Sequence, residues 1–303
     1  MRINKMIPFE DTNLATYLWI NEEKEYCGTV QIFHGMAEHI LRYDEFAEKL
    51  ADIGFVVIGH DHYAHGKSTT LNKIGVVENG DFMTKIIEAC HEVRLAYSEY
   101  FKNEKNFLFA HSMGSMAAQR YIQLYPNDFS KVILCGTDIG SFKYKMSVIL
   151  TNNIMKKYGP ISYTKIVKKF SMDAFNKKFK KEHPSSGWLS ANKDNVTKFE
   201  NDELCGADFP TNYYNSISKL LITAAKSDNI EKIDKNTKIL LIAGSDDPVT
   251  NFTKSTKKLC KLYIKHNIDA KKIIYPGARH ELLNESENIK NKVIGNIIYF
   301  YLK

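Results

Sequence analysis

Short apolar runs alternate with helical patterns through the first 137 residues. CGTVQIFH (27–34) and FVVIGHD (55–61) are apolar, β-branched and bounded by turns, which predicts strands. Between them, YDEFAEKLADIG (43–54) spaces its apolar residues as a helix does and stops at Gly54. A long helical pattern follows at roughly 81–103. NFLFAHS (106–112) predicts a strand, MGSMAAQRYIQLYP (113–126) a helix, and KVILCGT (131–137) another strand. Strands that alternate with helices imply βαβ units and a parallel sheet. Near-continuous apolar strands imply that both faces are covered.

The pattern breaks at 138–235. Strand signals vanish, and lysine, asparagine, tyrosine and phenylalanine rise. KILLIAG (238–244) resumes the alternation, followed by a helix near 251–267, a strand at KKIIYPG (271–277) and a last helix near 285–302. The reading is an α/β catalytic domain made of 1–137 and 236–303, with 138–235 inserted as a mostly helical cap.

The junction of the third strand with its helix carries the first candidate chemistry. Ala110-His111-Ser112-Met113-Gly114 is a small-x-Ser-x-Gly turn between a strand and a helix. That geometry exposes a serine hydroxyl and places a helix N-terminus beneath developing negative charge. The plain alternative is a serine that caps its helix. A nucleophilic serine needs a base, and the base needs an orienting acid, in the chain order Ser, Asp or Glu, His. Asp246 and Asp247 follow the strand KILLIAG. Asp247 is the expected acid because Pro248 fixes the backbone beside it, and Asp246 reads as a turn residue. His280 follows the next strand, after Asp247 as the chain order requires. The turn HGMAEH (34–39) follows an early strand, where a second oxyanion donor is expected. The two donors would be the backbone N–H groups of Met36 and Met113.

Further histidines crowd the same loops: His34, His39, His60, His62 and His65. No metal-binding spacing such as HExxH accompanies them, so they read as structural hydrogen-bonding residues, and His111 as packing beneath the serine turn. No metal and no cofactor is expected.

Taken together, HGMAEH, GHDHYAHGKS, AHSMGS, AGSDDPV and YPGARHELLNE resemble the monoacylglycerol lipase and lysophospholipase family of α/β-hydrolases. The resemblance covers about 25–137 and 236–300. It implies a mostly parallel eight-stranded sheet with helices on both faces and a helical cap. It also implies a triad at Ser112, Asp247 and His280, oxyanion donors at Met36 and Met113, and no cofactor. The family often has D-x-R-G-H-G-x-S where this chain has Asp61-His62-Tyr63-Ala64-His65-Gly66-Lys67-Ser68. The arginine and first glycine are replaced, which puts that arginine's charge role in doubt. The segment 187–206 looks like family members of the lysophospholipase type.

Composition adds a charge asymmetry. Apolar residues make up 44% and charged residues 25%, ordinary for a globular chain, and the net charge is +7. Residues 141–182 hold eleven lysines against Asp173 and Glu182, interleaved with Phe142, Tyr144, Met146, Ile149 and Tyr158. Such a cap suits transient contact with an anionic lipid surface, or it is simply a solvated face in a lysine-rich chain. No nucleic-acid motif accompanies the charge. The five cysteines form no CxxC pair, so reduced thiols are expected. The N-terminus lacks a secretory h-region, and no 18-residue apolar run occurs, which makes the cytoplasm the expected location.

These observations lead to hydrolysis of a lipid-like carboxylic ester. A thioesterase or short-chain carboxylesterase would use the same triad. A non-catalytic ligand-binding protein on the same fold would not need all three residues. Epoxide hydrolases and dehalogenases would need an aspartate where Ser112 stands.

Overall fold

The computed structural model describes residues 1–102, 105–170 and 172–303; Asn103, Glu104 and Ser171 lie outside them, as do the side chains of Lys168, Phe170 and Met172. The chain opens with β1 (Arg2–Phe9) and β2 (Thr12–Trp19), an antiparallel hairpin absent from the sequence-based expectation. β1 is an edge strand that buries only Ile7 and Phe9, so it shows little apolar alternation.

Then follow β3 (Gly28–Phe33), α1 (Asp44–Ala51), β4 (Phe55–His60), α2 (Phe82–Ala96), β5 (Asn106–His111), α3 (Met113–Leu124) and β6 (Lys131–Cys135). Between β6 and the next strand lie α4 (Phe142–Tyr158), α5 (Lys165–Phe170), α6 (Met172–Asn176), α7 (Lys193–Asn201), α8 (Thr211–Ala224) and α9 (Ser227–Ile230). The chain closes with β7 (Lys238–Gly244), α10 (Lys254–Lys265), β8 (Ala270–Tyr275) and α11 (Glu287–Leu302). The helix expected over 81–103 stops at Ala96 and gives way to a short 3-10 turn at Ser98–Tyr100. The helix expected from 251 starts at Lys254, because Asn251, Phe252 and Thr253 all have positive φ.

The eight strands form one sheet in the order β1-β2-β4-β3-β5-β6-β7-β8, parallel from β4 to β8. Every residue of β3, β4 and β5 is buried, since helices cover both faces. Along β5, Leu108 and Ala110 join one core with α2, α3 and α10. Phe107 and Phe109 join the other with α1 and α11. After β3 the chain winds outward to β4, then crosses back to place β5 on the opposite side of β3. The loops after β3 and β5 therefore diverge, and open α/β sheets bind ligands in the crevice formed at such a point. Met36 lies on the first loop and Ser112 on the second. Among the described residues, no helix is long and apolar enough to cross a membrane.

Candidate active site

Ser112 turns sharply from β5 into α3, with φ 51° and ψ −119°, and its N–H donates to the Cys135 carbonyl at 2.9 Å. Backbone in such a region costs on the order of 1–3 kcal/mol and persists only where its surroundings enforce it. Here the enforcement is close packing. A Cβ on Gly114 would lie 2.4 Å from the carbonyl oxygens of Phe33 and His34, so α3 can pass the end of β3 only as glycine. The Ser112 hydroxyl makes no capping hydrogen bond. Its Oγ lies 2.8 Å from His280 Nε2.

His280 Nδ1 lies 3.0 Å from Asp247 Oδ1, and both side chains are buried. With the proton on Nδ1 donated to Asp247, Nε2 carries the lone pair that faces the serine hydroxyl. Asp247 Oδ1 also accepts the Val249 N–H at 2.9 Å, which pins the carboxylate. Asp246 is half-buried and pairs with Lys178 Nζ at 3.1 Å. Of the two neighbouring aspartates, Asp247 is the one whose carboxylate faces the imidazole. On the ring's other side, Gly136 at the end of β6 has φ 62°. A Cβ there would lie 2.9 Å from His280 Cε1, so glycine leaves the ring its place. Trp188 packs against His280 with ring centroids 5.1 Å apart.

The loop after β3 lies against Ser112. A Cβ on Gly35 would be 3.3 Å from Ser112 Cβ. Met36 and Met113 both line the cavity beside Ser112. The first N–H groups of a helix have no acceptor within it, which leaves that of Met113, at the start of α3, free to donate.

A buried charge network holds these loops together, and of its members the sequence reading had singled out only His111. Glu38 accepts from Gly35 N–H at 2.5 Å, Tyr43 Oη at 2.8 Å and Arg42 Nη1 at 2.7 Å, with His111 Nδ1 at 3.2 Å. Arg42 grips Glu281 with two contacts, at 2.6 and 2.8 Å, and Asn195 of α7 donates to Glu281 at 2.6 Å. Burial alone would raise both carboxyls. For Glu38, the His111 hydrogen bond and the Arg42 charge outweigh it and hold the carboxyl well below its usual range. For Glu281, Arg42 outweighs it and lowers the carboxyl. Burial works against a charged His111, but the Glu38 hydrogen bond and charge raise its pKa nonetheless. One signal for this network was in view: Glu38 and Arg42 stand at i,i+4 in HGMAEHILRY.

Ser112 opens on a cavity of ≈ 620 Å³, within the usual size of small-molecule sites. Apolar side chains from α4 to α8 line it, among them Leu150, Val167, Phe175, Phe199 and Ile217. The second motif plays a supporting role. Asp61 accepts the Ile40 and Lys67 N–H groups at 2.8 and 2.7 Å, and Ala64 sits at φ 59°, where the family has glycine.

Comparison with known proteins identifies the family. The model of the family described as serine aminopeptidase, S33, matches residues 24–287. The monoglyceride lipase homolog of Monkeypox virus is 25% identical over 270 residues, 88% of this chain and 87% of that protein. The monoglyceride lipase of Rattus norvegicus is 32% identical over 103 residues, 34% of this chain and 32% of that one. A carboxyl esterase from Bacillus coagulans, solved in complex with glycerol, has a TM-score of 0.91 and 24% identity, covering 99% of this chain and 97% of that chain. That last likeness speaks to the fold. The chain belongs to the serine aminopeptidase S33 family and is an α/β-hydrolase similar to the monoglyceride lipases.

Proposed function

We propose that this hydrolase cleaves carboxylic esters of lipid-like substrates, a monoacylglycerol or lysophospholipid, through an acyl-enzyme on Ser112. The observation that carries the reading is the hydrogen-bonded run from Ser112 through His280 to Asp247, opening on an apolar cavity. His280 Nε2 takes the hydroxyl proton as Ser112 Oγ attacks the ester carbonyl. The Met36 and Met113 N–H groups receive the oxyanion, a contribution of about 3 kcal/mol per donor. Collapse breaks the ester C–O bond, and His280 gives its proton to the departing alkoxide, which leaves as the alcohol. Water, deprotonated by His280, then attacks the acyl-enzyme and releases the fatty acid and the free serine.

In this reading, 1–137 and 236–303 form the catalytic domain and 138–235 the cap that receives the acyl chain. An aminopeptidase needs a free carboxylate to hold its substrate's amine. Glu38 and Glu281 line the cavity but are committed to Arg42, Tyr43 and Asn195, which favours an ester. The monoglyceride lipase relatives favour glycerol as the alcohol.

A panel of acyl esters tests the assignment. Hydrolysis of monoacylglycerols or lysophospholipids is expected to rise with acyl length. Preference for acetyl esters would favour the short-chain carboxylesterase, and faster cleavage of acyl thioesters the thioesterase.

The cap also offers a surface for lipid. Phe142, Met146, Ile149, Tyr158 and Tyr163 are exposed near Lys143, Lys145, Lys156 and Lys157. We propose transient docking there on anionic membranes. Sedimentation with anionic liposomes should exceed that with neutral ones and weaken with salt; equal, salt-insensitive binding would refute it.

A further inference from the structure

Away from the hydrolytic site, three side chains that are distant in sequence meet inside the core. His60 ends β4, His62 follows two residues later, and Cys90 comes from the middle of α2; all three are buried. His62 Nδ1 is 3.1 Å from His60 Nε2. Cys90 Sγ is 3.7 Å from His62 Nδ1 and 3.9 Å from His60 Nε2.

The tautomer of His62 follows from its neighbours. His34 Nε2 accepts the His62 N–H at 2.9 Å, and the His34 carbonyl lies 3.1 Å from His62 Nε2. That carbonyl can only accept, so Nε2 of His62 carries the hydrogen and Nδ1 the lone pair. If His60 Nε2 carries a hydrogen, it donates to that lone pair and Cys90 stands by. If it does not, two imidazole lone pairs face each other at 3.1 Å.

We infer that His60, His62 and Cys90 form a binding site for a thiophilic closed-shell metal ion, Zn²⁺ or Cu⁺. Metal–nitrogen bonds of about 2.0 Å and metal–sulfur bonds of about 2.3 Å, at angles near 110–120°, span ligand separations of about 3.3–3.7 Å. The observed triangle lies within a few tenths of an ångström of these values. Soft thiolate with imidazole selects these ions. The His34 carbonyl orients His62 in the way usual for a ligating histidine, whereas the buried His60 Nδ1 faces no acceptor. Binding replaces the Cys90 S–H bond by sulfur–metal, and the proton is released to solvent. Because the site is closed, the ion enters as the chain folds, so its binding strengthens folding. Its role is structural and independent of ester hydrolysis.

The test uses full-length protein expressed in zinc-supplemented medium and, separately, refolded anaerobically with Cu⁺. About one ion per chain should survive gel filtration, with a raised Tm relative to protein refolded with chelator. Which ion is retained distinguishes the two. Refolding with Co²⁺ should yield a near-ultraviolet sulfur-to-cobalt charge-transfer band. Cys90→Ala should lose both the ion and the band while retaining wild-type hydrolysis, which reports that it folds. Cys205→Ala removes a second, half-buried group of potential ligands with His39 and Asp202, and should retain both signals. Should Cys90→Ala fail to fold, Cys90→Ser serves in its place, with the same losses expected. Metal well below one ion per chain in the wild type would overturn the inference. So would an unchanged ion and band in the folded Cys90 variant.

Discussion

Ser112→Ala lowers kcat on a preferred ester by about 10⁵-fold or more while leaving the fold and Tm near wild type. The size of the effect follows from the geometry. Ser112 Oγ is the atom facing His280 Nε2 at 2.8 Å, and the triad acts as a unit. His280→Ala should cost a similar factor, and the double variant little more, because each single change already disables the shared step. A fluorophosphonate probe should label the wild type at Ser112 and leave Ser112→Ala unlabelled. Removal of the hydroxyl also takes a polar group out of a strained turn without enlarging the core. A folded Ser112→Ala enzyme retaining more than roughly a tenth of wild-type kcat would rule out this serine as the nucleophile.

Arg42→Leu should have the largest effect on stability, about 3–5 kcal/mol, the usual cost of stripping a buried ion pair of one partner. Arg42 pairs with two carboxylates that are almost wholly buried, Glu38 and Glu281. In the wild type both carboxyls are held below their usual range. Their charged forms therefore contribute stability that is present above the unfolded value and is lost as pH falls through the folded values. Without Arg42, burial raises the folded value of Glu281 above the unfolded one. The sign then reverses: stability is greatest in acid and is lost as pH rises. Glu38 keeps a cationic partner, because it holds His111 in its charged form more readily, so the reversal belongs chiefly to Glu281. Urea unfolding of both proteins at about pH 5 and about pH 8 should show the gap widening toward pH 8. A loss below roughly 1 kcal/mol, the same at both pH values, would refute this account. Activity should fall too, since the network holds the loop of Met36 and the residue next to His280.

Much of the chemistry was legible because it depends on local backbone geometry. A small-x-Ser-x-Gly turn between a strand and a helix has few physical solutions, and the steric crowding at Gly114 shows why. Strand ends in a parallel sheet all point to one crevice, so the acid could be sought after KILLIAG and the histidine after KKIIYPG. The network around Glu38 was not legible in the same way. Its members come from positions 38, 42, 111, 195 and 281, and nothing local to Asn195 says that it donates to Glu281. The lining of the cavity was hidden for a related reason. Lysine-rich helices with scattered apolar residues do not reveal which face turns inward.

The sequence by itself determined the alternation of strands and helices and the serine turn, and it set Ser112, Asp247 and His280 in order at strand ends, because each rests on periodicity, turn sterics or chain order. It left Asp246 and Asp247 separable only by the proline beside one of them, and it passed over the first two strands. Tertiary structure decided which aspartate meets the imidazole, that Gly136 clears its ring, and that Arg42 carries the charge balance of the loops. It also brought His60, His62 and Cys90 to one point. Contacts of this kind join residues far apart in the chain. They exist only once the sheet is assembled and its loops are packed, so no local pattern of residues encodes them.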